Sequence, residues 1–183
     1  QARIRPHFLF NTLNSAIALI RSEPRKAERV LEDLSELFRA ALAERNSTTT
    51  LGQEIELARH YLAIEQVRFG QRLRVHWQIE PGLQAVPLPL LVLQPLVENA
   101  VKHGVEPSSA GADITVLVQK RGQKAHIRVS NTLAQTSGKK GHGMALRNVR
   151  DRLLLLHDVE CEFRAGIKNG QYQVRIDLPL HGV

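Results

Sequence analysis

The chain has 183 residues, 43% of them hydrophobic and 23% charged, with a net charge of +7 and a pI near 10.1. That balance excludes a disordered or fibrous chain, and its longest apolar stretches, Leu90 to Val97 and Leu153 to Leu156, fall short of the ~18–20 residues of a membrane-spanning helix. The basic excess favours anionic partners without choosing among nucleic acid, lipid headgroups and nucleotide phosphates, and the single Cys161 excludes an internal disulfide or a cysteine-rich metal site and fits a reducing compartment, cytosol by default.

The first elements read as two helices, over 4–21 and 27–44, with Ser22, Glu23 and Pro24 marking the turn between them. Val30, Leu31, Leu34, Leu37, Phe38, Ala41 and Leu42 build an apolar stripe on the second. Such a hairpin encloses too little apolar surface to stand alone, which predicts a homodimer joined through a four-helix bundle. Residues 46–50 break the pattern, and Thr50 with Gln53 has the spacing of a capping box for a third helix over 51–69. Alternation from Arg74 to Ile79, with Val75, Trp77 and Ile79 on one face, predicts a strand ended by the loop through Pro81, Gly82, Pro87 and Pro89. A fourth helix is expected over about 89–103.

Residues 113–120 and 124–130 alternate around Arg121 to Gln123 as an antiparallel hairpin. The stretch 132–142, rich in Ser, Thr, Gly and Lys, reads as a mobile lid before a helix over 144–157. A last hairpin pairs 159–165 with 171–178 around Lys168, Asn169 and Gly170. The order predicts an α+β chain: a helical hairpin (1–46), a connecting helix (47–70) and a two-layer α/β sandwich (71–183).

Three motifs carry chemistry. In PHFLFNTLN, His7, Asn11 and Asn14 stand at i, i+4 and i+7 on one helix face. A neutral imidazole can form a phosphoramidate, and an amide one turn away can orient a water to hydrolyse it; the plainer alternative is a polar residue on a bundle face. In LQPLVENAVKHG, Asn99, Lys102 and His103 set an amide oxygen able to ligate Mg²⁺ beside a cation and an imidazole able to meet phosphates. The alternative there is the solvated face of an amphipathic helix. In GHGMALRNVR, Gly141 and Gly143 precede a helix, where glycine lets backbone amides approach phosphate. Lys139 and Lys140 upstream either add phosphate contacts or are solvated lid charges.

Taken together, PHFLFNTLN, YLAIEQVRFGQRL, LQPLVENAVKHG and GHGMALRNVRDRL, in this order and over nearly the whole chain, resemble the LytS/AlgZ type of sensor histidine kinase, with AlgZ-like sensors as its nearest kin. The resemblance implies a Bergerat-type (GHKL) ATP-binding sandwich behind a dimerising hairpin. It also implies ATP and Mg²⁺ as ligands, His7 as phosphoacceptor, and Asn99, Lys102, His103, Gly141 and Gly143 as nucleotide contacts, with Asn99 on the metal. The partner it implies is a response regulator, often with a LytTR DNA-binding domain, rather than nucleic acid itself. Members sit in the bacterial inner membrane through a sensor region; a start at Gln1, without a methionine or signal-peptide pattern, leads to the expectation that such a region has been cut away.

Two departures matter. Where many relatives carry an Asp-x-Gly-x-Gly adenine box, this chain reads Val129-Ser130-Asn131-Thr132-Leu133-Ala134-Gln135, so that Asn131 replaces a charged acceptor by a neutral one, and weak ATP affinity is expected. The residue after His7 is Phe8, where histidine kinases outside this branch place an acid that acts as base. Glu98 is then the nearest candidate base, or a helix-surface carboxylate. The competing reading is a degenerate relative in which His7 and Asn11 serve mainly as a response-regulator phosphatase or binding module.

Overall fold

The computed structural model describes residues 5–43, 47–133, 143–157 and 160–180. Helices α1 (Pro6–Leu19) and α2 (Pro24–Leu42) form the expected hairpin. Each opens on a proline, whose locked φ and missing N–H suit a first helical position. Pro24, read from sequence as part of the turn, therefore starts α2 three residues earlier than expected. Ala27, Val30, Leu34 and Leu37 form the buried stripe of α2, which packs on α1 and α3.

Strand β1 (Thr48–Thr50) leads directly into α3 (Leu51–Phe69). The capping box is formed: the Thr50 hydroxyl accepts from the Gln53 N–H at 3.3 Å, and the Thr50 N–H donates to Gln53 Oε1 at 3.2 Å. β1 pairs antiparallel with β3 (Pro87–Pro89). This two-stranded clip lies in two stretches that read as a break and a loop, because three-residue strands are too short for alternation to register.

Strands β2 (Leu73–Ile79), β4 (Ala112–Arg121), β5 (Lys124–Thr132), β6 (Glu162–Lys168) and β7 (Gln171–Pro179) make one sheet in the order β2-β4-β5-β7-β6. β2 runs parallel to β4, and every other pair is antiparallel. The final hairpin turns on Asn169 and Gly170, both at positive φ, as a two-residue primed turn demands. Val116 and Val118 of β4 align across the strands with Val129 and Ile127 of β5 and with Val174 and Ile176 of β7. All are buried and share one core with Ile55, Ala58 and Leu62 of α3 and with Leu93, Leu96 and Val97 of α4 (Leu93–Ala100). α5 (Met144–His157) adds Leu146, Val149 and Leu153. A mixed sheet covered by helices thus gives the two-layer sandwich expected behind the hairpin.

The expected fourth helix is shorter than predicted. It starts at Leu93 and passes after Ala100 into a π-turn over Val101–Val105, closed by the Glu106 N–H on the Val101 carbonyl at 3.0 Å. Its start is fixed by Glu54, fully buried on α3, whose carboxylate accepts the N–H groups of Leu91, Val92 and Leu93 at 2.7, 2.7 and 2.9 Å. Arg152 of α5 holds the same corner from the other side, donating to the Leu90 carbonyl and, at 2.6 Å, to the Leu91 carbonyl. Leu91 is held there at a φ of 60°. Burial pushes the Glu54 carboxyl up, while the three backbone N–H groups and Arg152 pull it down.

Glu54→Gln keeps the size of the side chain but turns an amide NH₂ towards backbone donors. Leaving buried groups unpaired in this way costs about 3 kcal/mol or more, read as a lower urea midpoint at unchanged m-value.

Candidate functional site

His7 lies one residue into α1 and is exposed. The Asn11 amide nitrogen stands 3.2 Å from His7 Nδ1, so the i, i+4 spacing does bring the pair together. With the amide donating, Nδ1 is the acceptor and the proton sits on Nε2; turning the amide over reverses both roles. Asn11 thereby selects the ring tautomer. Asn14, one further turn along, is exposed.

The His7 end of α1 is docked against α3 and α4. Phe8 stacks on Tyr61 with ring centroids 5.2 Å apart, and Arg5 Nε lies 3.9 Å from Glu98 Oε2. Beneath this contact is a cavity of 60 Å³ lined by His7 and Phe8 from α1, Tyr61, Glu65 and Arg68 from α3, and Gln94, Glu98 and Glu106 beyond them. Glu98 is therefore no simple surface carboxylate: it is half-buried and accepts from the Gln94 amide at 3.0 Å. Burial pushes its carboxyl up, against the pull of Gln94 and Arg5. Glu65 is 2% exposed, and its carboxyl is pushed up to about 7 by burial, against Arg68 and with help from Glu106 and Glu98. Tyr61 is held well above the usual phenol range by burial, then by Glu65 and Glu98.

The second group of residues sits at the end of α4. Asn99 is half-buried on the helix, while Lys102 is exposed and His103 half-buried in the π-turn. The wider turn alters the i, i+3, i+4 face on which the three were expected, because a residue is added between one ladder bond and the next. Asn131 is 1% exposed and occupies the helix-facing row of β5, aligned across the strands with Ile114 and Tyr172. Its amide nitrogen donates to the Thr132 carbonyl at 2.9 Å. A Cβ on Gly104 would stand 2.8 Å from that nitrogen and 3.2 Å from the Thr132 oxygen. A side chain at position 104 would crowd Asn131 and the Thr132 carbonyl, so the π-turn that carries Lys102 and His103 lies close over Asn131 at Gly104.

Gly143 is exposed and immediately precedes α5, with open space where a side chain would stand. Gly141, the lysine pair Lys139 and Lys140, and the lid expected over 132–142 from residue 134 onward lie outside the described residues. Among the described residues there is no cluster of His, Cys, Asp and Glu that would hold a metal by itself.

An imidazole on a helical hairpin, packed against a mixed sheet covered by helices, is the arrangement of a histidine kinase core. Comparison with known proteins agrees. Residues 1–73 match the model of the histidine kinase family. The chain is 36% identical over 184 residues to the sensor histidine kinase/phosphatase LytS of Staphylococcus aureus, covering 100% of this chain and 29% of that protein. It is 31% identical over 195 residues to the sensor protein LytS of Enterococcus faecalis, covering 98% and 33%. Among solved structures, a histidine kinase from Burkholderia phymatum matches with a TM-score of 0.52 at 13% identity, over 98% of this chain and 100% of that one. The histidine kinase domain of a blue-light activated kinase from Erythrobacter litoralis matches with a TM-score of 0.53 at 17% identity, over 86% and 74%. The structural likenesses show the GHKL kinase fold. In sequence the chain is similar over nearly its whole length to LytS sensor histidine kinases, of whose length it spans about a third.

The residues that motif spacing missed are Tyr61, Glu65, Arg68 and Gly104. A signal for the first three was present: Glu54, Ala58, Tyr61 and Glu65 repeat at intervals of four, three and four, which is the buried stripe of α3, so Glu65 falls on an inward face.

The folded-state value of Glu65 lies above its ordinary 4.5. Folding thus favours the protonated form, and the stabilisation from this group is full below about pH 4.5 and lost as pH rises through about 7. Melting curves across that window are expected to show wild type losing stability relative to Glu65→Gln, whose amide does not titrate.

Proposed function

We propose that this chain is the kinase core of a two-component sensor, in which ATP phosphorylates His7 and the phosphoryl group passes to an aspartate of a response regulator. The observation that carries this reading is the docking of the His7 end of α1 beside α4, the helix bearing Asn99, through Arg5 and Glu98 at 3.9 Å, with the Phe8–Tyr61 stack seating it on the neighbouring α3. Nucleophile and nucleotide-binding helix are neighbours within one chain.

The residues present fit ATP. Asn131 offers a buried amide to the adenine amine, beneath the π-turn at Gly104. Lys102 and His103 meet phosphates, and Gly143, with Gly141 before it, leaves backbone amides free to approach them at the start of α5. Asn99 holds Mg²⁺, which would neutralise charge on the phosphates during transfer. Because Asn131 supplies a neutral acceptor, ATP is held weakly. The division of labour follows the hairpin (1–46), the connecting helix (47–70) and the ATP-binding domain (71–183). A LytTR-type regulator is the partner that the resemblance implies. Attachment to a membrane belongs to regions beyond this chain; no helix among the described residues is long and apolar enough to cross one.

A second reading, phosphatase activity towards the phosphorylated regulator, is favoured by the Asn11 amide at 3.2 Å from His7, in place to orient water. It coexists with the first. His7→Gln is expected to abolish acid-labile labelling from γ-labelled ATP, and Asn11→Ala to slow loss of phosphate from the regulator more than it slows labelling. Persistent label on His7→Gln sinks the kinase reading, and equal effects of Asn11→Ala on both rates sink the phosphatase one.

The hairpin presents Phe10, Ile17, Ile20 and Leu31 to solvent, at 64, 65, 54 and 44% exposure. That apolar face supports a homodimer through a four-helix bundle. Light scattering should return twice the chain mass for wild type and a single chain mass for Phe10→Glu combined with Ile17→Glu; a wild-type monomer refutes the dimer.

A further inference from the structure

The segment Tyr61-Leu62-Ala63-Ile64-Glu65-Gln66-Val67-Arg68 holds no nucleotide and supplies no phosphoacceptor, yet three of its side chains face His7 across one cavity. Tyr61, Glu65 and Arg68 form its α3 wall, under the cover of His7 and Phe8. On the α4 side, Gln94 Oε1 is buried without a hydrogen-bond partner, so the cavity contains an acceptor in need of a donor. A void of 60 Å³ with this lining is roomy and polar enough to hold water.

We propose that Glu65 is the positioning residue that takes the ring proton of His7, through water in this cavity, as the imidazole is phosphorylated. The inference rests on the kinase reading above. One ring nitrogen attacks the γ-phosphorus of ATP; the N–P bond forms as the bond to the bridging oxygen breaks, and that electron pair leaves with ADP. The proton on the other ring nitrogen passes to the Glu65 carboxylate, which leaves a neutral phosphoimidazole.

Geometry selects Glu65 among the three acids. Glu98 is engaged by the Gln94 amide at 3.0 Å and faces Arg5, and Glu106 is exposed. Glu65 is buried, and the cation paired with it, Arg68 at 3.7 Å, is shared with Glu106 at 3.8 Å. The charged and titratable groups around it are Arg5 and His7 from the α1 end, Tyr61 and Arg68 on α3, Glu98 on α4 and Glu106 after the π-turn. Burial together with Glu98 and Glu106 outweighs Arg68, so Glu65 titrates at about 7, where an acceptor is both deprotonated and basic enough to act. Since His7 is followed by Phe8 and not by an acid, α3 supplies the base that α1 lacks.

The test is the pH profile of His7 labelling in the intact kinase. Glu65→Gln is expected to lower the plateau rate by about 100-fold with the KM for ATP unchanged. Glu106→Gln, which relieves repulsion on Glu65, is expected to move the acid limb to lower pH, and to move it no longer when Glu65→Gln is already present. Glu65→Gln relieves the same repulsion, and its melting curve is the check that the fold is retained. Wild-type rate and profile in Glu65→Gln, or an equal limb shift from Glu106→Gln in both backgrounds, overturns the role of Glu65 and leaves the kinase standing. Absence of label on the wild-type chain overturns both.

Discussion

The buried Glu54 carboxylate is the constraint on which the rest of the site depends. A helix beginning inside a protein leaves its first N–H groups without partners, and α4 begins against α3 with no capping side chain of its own. Glu54 accepts three N–H groups at that corner, and Arg152 takes the carbonyls that the same turn exposes. Helices α3, α4 and α5 are thereby joined at one point. Everything that α4 presents, from Gln94 and Glu98 towards the hairpin to Asn99 and the π-turn over Asn131, takes its position from that junction.

Eleven residues along the same buried stripe of α3, Glu65 meets the opposite treatment. Glu54 has three backbone donors and a nearby guanidinium; Glu65 has a shared arginine and two acidic neighbours. Both carboxyls are raised by burial, but the compensation differs. A carboxylate surrounded by donors serves the fold, because its bonds offset its desolvation. One left under-compensated beside a nucleophile costs stability near neutral pH, and such a cost is characteristic of groups kept for chemistry.

Much of this was legible in the sequence, for physical reasons. The capping box at Thr50, the Asn169-Gly170 turn and the strand alternation of β4 and β5 are local signals, decided by neighbours within four residues. Asn131 was legible too: Ala125, Ile127 and Val129 run along the inward row of β5, and a polar residue ends it. What was not legible depends on distant partners. The β1–β3 clip joins strands too short to announce themselves, the π-turn arises where Gly104 must close over Asn131, and the role of Glu54 is visible only once Leu91, Val92 and Leu93 face it.

The two halves of the site are also held differently. The side at the end of α4 is built from backbone closeness, with Gly104 against the buried Asn131 of β5. The His7 side is held by a ring stack and an ion pair, with Arg5 half-exposed and the pair therefore worth little in water. The Phe8–Tyr61 stack is the apolar part of that contact, and a helix end held by these two contacts can leave its seat. In the proposed role as phosphoacceptor His7 must do so, since it cannot face ATP and a regulator's aspartate from one position. Strong attachment of α1 would improve the first step at the expense of the second, and the weak dock beside a strongly braced α4 resolves that conflict in favour of turnover.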